Sequence, residues 1–301
     1  TSINSNDIDI TAASRAIDDS LKSIHESGSV VEKYEFNGVS LRKINREHDL
    51  SDKEKTFNSY HIELADKTKP FLVTKAGGGD QVKASQNIPF EALSDKSIEM
   101  GKHSMLNASA AGLAGASQQQ AVSISSLVQE MGSIGKCTLI GMGVRTSPIY
   151  AAFGNSAIIS ILDYTEEIPD SHHSLSSVIF PIVTALGEAN GYTGKEVLRA
   201  YLLGLEYTSH LIEQTQSNFY ACVSLGGLLA AGLLLKLNDQ QFQQGLCLLL
   251  DTLDPTMSDK RSSIDLFTSG KIAMNTITAG LTVSKQFNID DFSLETFEYY
   301  L

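Results

Sequence analysis

Residues 162–174, LDYTEEIPDSHHS, gather acidic and imidazole groups within one short stretch. Asp163 opens it, the adjacent histidines His172 and His173 close it, and further acids lie between. A carboxylate that orients an imidazole and supports its positive charge can take part in proton transfer. The same groups can also bind a metal ion or face water on a solvated loop. From the residues alone, all three interpretations stay open.

The metal interpretation has the least support from the spacing. Zinc-binding histidines commonly recur in HxH or HExxH patterns, whereas two adjacent histidines on a loop reach one ion only awkwardly. We therefore predict no metal at this loop. The glycines at 77–79 lack the Lys-Ser/Thr that a phosphate loop requires, so a nucleotide site is not expected there either.

Composition limits what the whole chain can be. It has 301 residues, 42% of them hydrophobic, which is enough for a large core. A net charge of -12 argues against a general nucleic-acid-binding protein, which needs a basic face. Three cysteines without CxxC spacing and no visible signal peptide favour a reducing compartment. We expect a cytoplasmic location, with organelle import left open.

One segment, FYACVSLGGLLAAGLLLKL at 219–237, is apolar enough to raise the question of a membrane span. Its charge-free core is shorter than the roughly 20 residues that a bilayer requires. Its many glycines and alanines instead predict a helix buried among other helices, and no membrane partner is expected.

The elements that would position the acidic–imidazole loop change in character near residue 85. Residues 1–85 predict a small α+β segment: an amphipathic helix at 10–26, then β-like stretches at 30–44 and 58–75. Asn37-Gly38, flanked by alternating residues, predicts a hairpin. Residues 76–87 read as a linker.

Residues 86–301 predict a mainly α domain, with a short extended piece at 137–143. Gly191 predicts a helix end, and Thr193 with Glu196 predicts a capping box that starts the next helix. The longest periodic segments lie at 148–163, 174–190, 194–216, 220–236, 239–250 and 267–286.

Two stretches in this helical part resemble a known family. They are GKCTLIGMGVRTSPIYAAFGNSAIISILDY (135–164) and SVIFPIVTALGEANGYTGKEVLRAYLLGLE (177–206). They are similar to the MmgE/PrpD family, which includes 2-methylcitrate dehydratase, cis-aconitate decarboxylase and iminodisuccinate epimerase. Further similar stretches lie at 88–116, 219–249 and 269–287.

The resemblance implies proton abstraction beside a carboxylate, followed by loss of water or carbon dioxide or by reprotonation. It also implies a small-molecule substrate, no cofactor and a homodimer through the helical domain, with the apolar helices at 220–250 compatible with that contact. Carried over position by position, the family's Asp falls at Asp163 and its first His at His173. Its second His falls at Tyr220.

Other positions implied by the resemblance would bind substrate. The family's Thr falls at Glu167 and its Lys at Ser269, with Lys271 two residues further on. His172 is the fourth candidate for substrate binding. The family normally follows its helical domain with an α/β lid, so either residues 1–85 substitute for that lid or a second chain supplies it.

Two hypotheses about the function of the chain remain open. The first is a divergent lyase or isomerase acting on a small organic acid or a specialised metabolite. The second is a catalytically lapsed relative that acts as a binding or partner subunit, since Tyr220 and Ser269 stand where the family has its second His and its Lys.

Overall fold

A computed structural model describes residues 88–132, 134–165, 174–215, 219–253, 265–287 and 289, together with two short strands near the N-terminus. The chain divides into two compact units, Thr1–Thr56 and Phe57–Leu301. The described residues of the first unit are β1 (Lys33–Phe36) and β2 (Val39–Arg42). The predicted helix at 10–26, the stretch at 58–75, the linker and the boundary at residue 85 lie outside the described residues.

β1 and β2 pair as an antiparallel hairpin. Phe36 pairs with Val39, so the two residues between the strands are the predicted turn dipeptide, Asn37-Gly38. This register confirms the hairpin prediction.

The described part of the second unit is helical and matches the mainly α prediction. The chain enters it through a 3₁₀ turn at Phe90–Ala92. Its helices are α1 (Asp95–Gly115), α2 (Gln119–Glu130), α3 (Pro148–Ile159), α4 (Ser176–Asn190), α5 (Gly194–Thr215), α6 (Phe219–Leu235), α7 (Asp239–Leu250) and α8 (Asp265–Ser284).

A second hairpin lies between α2 and α3. β3 (Cys137–Leu139) pairs antiparallel with β4 (Val144–Thr146), so the predicted extended piece is real but its partner strand was missed. The Asn155 amide on α3 ties the hairpin down: it accepts from the Ile140 N–H at 2.8 Å and donates to the Thr138 carbonyl at 2.8 Å.

Helix ends follow the sequence signals closely. Gly191 takes a left-handed φ of 71° after α4, a conformation that favours glycine. Thr193 and Glu196 form the predicted capping box at the start of α5. At α7 the N-cap is Asn238, whose side chain forms a second capping box with Gln241.

α6 is the central helix of the bundle. Every residue from Phe219 to Leu234 is buried, because the helix is apolar all round and neighbours cover each side. In the described residues, no helix is long and apolar enough to cross a membrane. A single chain therefore leaves α6 no exposed face to offer to a partner.

The helices around α6 alternate in direction. Gly187 and Phe180 of α4 lie against Val197 and Tyr201 of α5, so these two helices run antiparallel.

α5 and α6 also run antiparallel. Gly204 lies against Ala230 and Thr208 against Gly226. Four residues towards the C-terminus of α5 therefore correspond to four residues towards the N-terminus of α6. It follows that α4 and α6 run in the same direction and begin at the same end of the bundle.

Candidate functional site

Tyr220 and Ser269 lie on two helices, α6 and α8, that pack against each other. Gly227 of α6 lies against Thr276 of α8, where a Cβ on the glycine would be 3.2 Å from the threonine Cγ2. Four residues further along both helices, Gly280 would place a Cβ 3.6 Å from Ala231 Cβ. Because the residue numbers at the contact increase together on α6 and α8, the two helices are parallel.

The same register leads back to the candidate residues. Tyr220 precedes Gly227 by seven residues, and Ser269 precedes Thr276 by seven. Seven residues are close to two full helical turns, so the register predicts Tyr220 and Ser269 at the same level on the contacting sides of the two helices. These are the positions where the resemblance implies a His and a Lys.

Tyr220 is the second residue of α6 and is 2% exposed. Its ring packs edge-on against Phe219, with ring centroids 5.5 Å apart. Its backbone carbonyl accepts a hydrogen bond from Ser224 Oγ at 2.6 Å. The phenol is therefore an interior group and not a surface tyrosine at a helix end.

Ser269 lies in the second turn of α8 and is buried. The next residue, Gly270, brings α8 close to α3: a Cβ there would lie 2.9 Å from the Phe153 carbonyl oxygen. Phe267 adds an edge-on contact to the Phe153 ring, with centroids 5.4 Å apart. This contact fixes the start of α8 against the helix that leads to Asp163.

Asp163 lies four residues beyond the end of α3, on an exposed turn. Its φ of 53° is in the left-handed region, where an aspartate is tolerated better than most residues. The loop that follows carries Glu167, His172 and His173, which lie outside the described residues.

The chain is described again from Ser174, the residue bonded to His173. Ser174 is buried, and its Oγ accepts from the Ser177 N–H at 3.3 Å just as α4 begins. Ile182 of α4 lies against Gly227 of α6, at 2.9 Å from the glycine's Cβ position. The start of α4 is therefore at the same end of the bundle as Tyr220.

Lys271 is exposed. It is two residues from Ser269, which is about 200° around the helix, so it does not share the face that meets α6.

One polar pair was missed by sequence reasoning. Glu206 Oε1 and His210 Nε2 are 2.9 Å apart on α5, and Glu206 is only 2% exposed. Their spacing of four residues was visible in the sequence and marks neighbours on one helix face.

Two further groups agree with a core assignment. Cys222 is fully buried. Burial raises the pKa of the neighbouring Tyr207 phenol well above its ordinary range, with Cys222 adding to the effect. Within the described ranges, no three His, Cys, Asp or Glu side chains group as metal ligands, and the loop that carries His172 and His173 is not among them.

Comparison with protein families matches residues 83–288 to the MmgE/PrpD N-terminal domain. The match covers about two thirds of the chain and includes Asp163, His173, Tyr220 and Ser269. Comparison with curated proteins gave no match.

Proposed function

This chain belongs to the MmgE/PrpD family, and we propose that it is a cofactor-independent lyase or isomerase acting on a small organic acid or specialised metabolite. Family membership supports dehydratase- or lyase-like chemistry. The reaction class and the site residues are our proposal.

The proposal rests on the register of α6 against α8, which predicts Tyr220 and Ser269 at one level, at the end of the bundle where α4 begins. Ser174, the residue that follows the proposed base His173 in the sequence, lies at the start of α4 at that end of the bundle. A base from the loop and a phenol from α6 can then act on one small molecule.

In the proposed reaction, His173 takes a proton from the carbon beside a carboxylate, and Asp163 orients the imidazole and supports its charge. The C–H electron pair forms a double bond as the leaving group departs, or it is reprotonated on the other face of the carbon. Tyr220 supplies the second proton. In this proposal the Tyr220 phenol enters the reaction with its proton and acts as the acid.

The place of Tyr220 in the first turn of α6 favours its role as the acid. The positive end of the helix dipole stabilises the negative charge that the phenol acquires as it gives up its proton. Ser269, at the same level of α8 as Tyr220 on α6, has a hydroxyl group that can bind the substrate. We assign substrate binding to Ser269, Glu167 and His172, and not to Lys271, which is exposed and lies on another face of α8.

The second candidate is a binding or partner subunit without catalysis. It is favoured by Tyr220 and Ser269 themselves, because neither supplies the imidazole or the ammonium that the family has at those positions. An uncharged hydroxyl pair can bind a ligand without transferring a proton.

Proton exchange separates the two candidates without knowledge of the product. The protein is incubated in D₂O with a panel of small carboxylic acids, and loss of the proton beside the carboxylate is followed by ¹H NMR. An enzyme of this class exchanges at least one acid, and His173→Ala abolishes the exchange because the base is gone.

The matched control is His103→Ala, which removes an exposed histidine from α1 and should leave exchange unchanged. If no acid exchanges with the unaltered protein, the binding subunit is the better description. Exchange that survives His173→Ala excludes His173 as the base.

A further inference from the structure

Charged side chains are scarce on the four helices that form or adjoin the proposed site, α3, α4, α6 and α8. α3 and α6 have none, α4 has only Glu188, and α8 has only Asp265 and Lys271. Glu188 lies near the end of α4, away from Tyr220, where it accepts hydrogen bonds from β3. Lys271 is exposed on another face of α8. Neither charge is placed to meet a group bound beside Ser269.

The remaining charge on these helices, Asp265, is negative. It is the first residue of α8 and precedes Ser269 by four residues, so the two share one face of the helix. A carboxylate bound beside Ser269 would be about one helical turn from this acid, and like charges at that spacing repel each other. On the described helices, the local charge therefore opposes a negative group at Ser269.

The two polar groups that the register predicts at one level are neutral hydroxyls in the interior. Tyr220 is 2% exposed, and Ser269 is buried. Such hydroxyls both donate and accept hydrogen bonds, which matches a hydroxyl, carbonyl, amide or ester of a ligand. They do not neutralise a carboxylate, and a buried charge without a counter-charge is unfavourable. The positive end of the α6 dipole amounts to only about half a unit charge.

We propose that the substrate is a monocarboxylic acid whose second polar group is uncharged, and that Tyr220 and Ser269 form a neutral subsite that binds this group. This substrate class rests on the proposed function, since it describes the ligand of the same site. The single carboxylate is the one beside the C–H that His173 deprotonates. A dicarboxylic acid of the same length brings a second charge that the neutral subsite does not compensate.

Paired ligands of equal length and different charge test the proposal. Succinate, glutarate and adipate are each compared with their own monoamide, in which one carboxylate is replaced by an uncharged group of similar shape. Saturation-transfer NMR detects binding, and calorimetry gives the dissociation constants. The monoamide of the best pair is expected to bind about 10-fold more tightly than its dicarboxylate, or better, because it leaves no buried charge unpaired.

Ser269→Lys places an ammonium group at the neutral subsite and is expected to reverse the preference, so that the dicarboxylate binds more tightly than the monoamide. Thr278→Lys is the matched control. It adds the same charge at an exposed position of the same helix and should leave the preference for the monoamide unchanged.

Ser269→Ala is a second variant that adds no charge, since a lysine inside a helical bundle can prevent folding. Loss of the hydroxyl is expected to weaken monoamide binding by about 3- to 10-fold, which is the ordinary contribution of one hydrogen bond. Binding of the dicarboxylate should change less. Melting temperatures show which variants are folded.

A dicarboxylate that binds the unaltered protein as tightly as its monoamide overturns the proposal, and so does a protein that binds none of the six ligands. A folded Ser269→Lys protein that still prefers the monoamide removes Ser269 from the subsite. Proton exchange in D₂O reports separately on the proposed function. Exchange of dicarboxylates alone supports the enzyme and overturns this substrate class, whereas selective binding of monoamides without exchange supports the substrate class and not the enzyme.

Discussion

Tyr220 combines burial with a position at the start of a helix. A phenol that is 2% exposed sits in a low-dielectric environment, where giving up a proton is costly unless positive charge or a donor stands near the oxygen. The α6 terminus partly offsets that cost through its dipole. Tyr220 is therefore suited to act as a general acid: it keeps its proton in the free protein and donates it to the substrate during the reaction.

Tyr220→Phe removes the proton and keeps the ring. If the phenol is the general acid, kcat falls by roughly 100- to 10,000-fold while the α-proton exchange that His173 catalyses persists. The measurement is a comparison of turnover with ¹H exchange for the acid identified in D₂O.

Tyr207→Phe supplies the control for this experiment, because it deletes another buried phenol, on α5, outside the proposed site. Equal losses in the two variants would mean that a buried hydroxyl matters for stability alone, and melting temperatures would show it. An unchanged kcat in Tyr220→Phe removes Tyr220 from the mechanism.

At this scale the sequence shows how residues are spaced along the chain but not which of them become neighbours in the fold. The ten-residue interval between Asp163 and His173 is local and visible in the chain. The facing of Tyr220 and Ser269 depends on how α6 lies against α8, and no local pattern encodes it. The Glu206–His210 pair was local and was still overlooked.

Close helix contacts hold the bundle together at the element scale. Gly204 and Gly226 lie where α5 crosses α6, and their missing side chains allow the backbones to approach. A Cβ on Gly226 would meet the Thr208 hydroxyl and would lie 2.7 Å from the Gly204 carbonyl oxygen. The register of α6, and with it the position of Tyr220, rests on this contact.

Gly226→Ala should therefore destabilise the protein by about 1–3 kcal/mol or more, because neither backbone can yield without shifting a whole helix. Urea unfolding followed by circular dichroism measures the change. Gly194→Ala is the matched control: that glycine has no atom within 4 Å of its Cβ position, and its stability should change little. A Gly226→Ala protein as stable as the control would show that the α5–α6 contact is looser than described.

Helix existence was predictable here and helix arrangement was not. The periodic segments from residue 148 onward each became a helix, with bounds that differ by at most four residues. α6 is apolar all round, so its pattern selects no preferred face and leaves the choice of neighbours open. The missed strand β4 has only three residues, too few for alternation to be recognised.

On the scale of the whole molecule, charge and burial are unevenly distributed. The chain carries a net charge of -12, yet residues 104–129 carry none. Acidic groups elsewhere must repel one another in the folded state more than in the extended chain, where they lie further apart. Self-repulsion of this kind is screened by salt, so the stability of the fold is expected to depend on ionic strength.

Raising NaCl from about 0.01 M to about 0.15 M shortens the screening length from about 30 Å to about 8 Å. Relief of repulsion should raise the melting temperature by about 2 °C, which corresponds to about 1 kcal/mol for a domain of this size. Calorimetry at two protein concentrations separates this effect from dimer formation, because only a dimer makes the melting temperature depend on concentration. KCl should act as NaCl does, since screening depends on ionic strength and not on the cation. A melting temperature that falls with either salt would mean that attractive ion pairs outweigh the net repulsion.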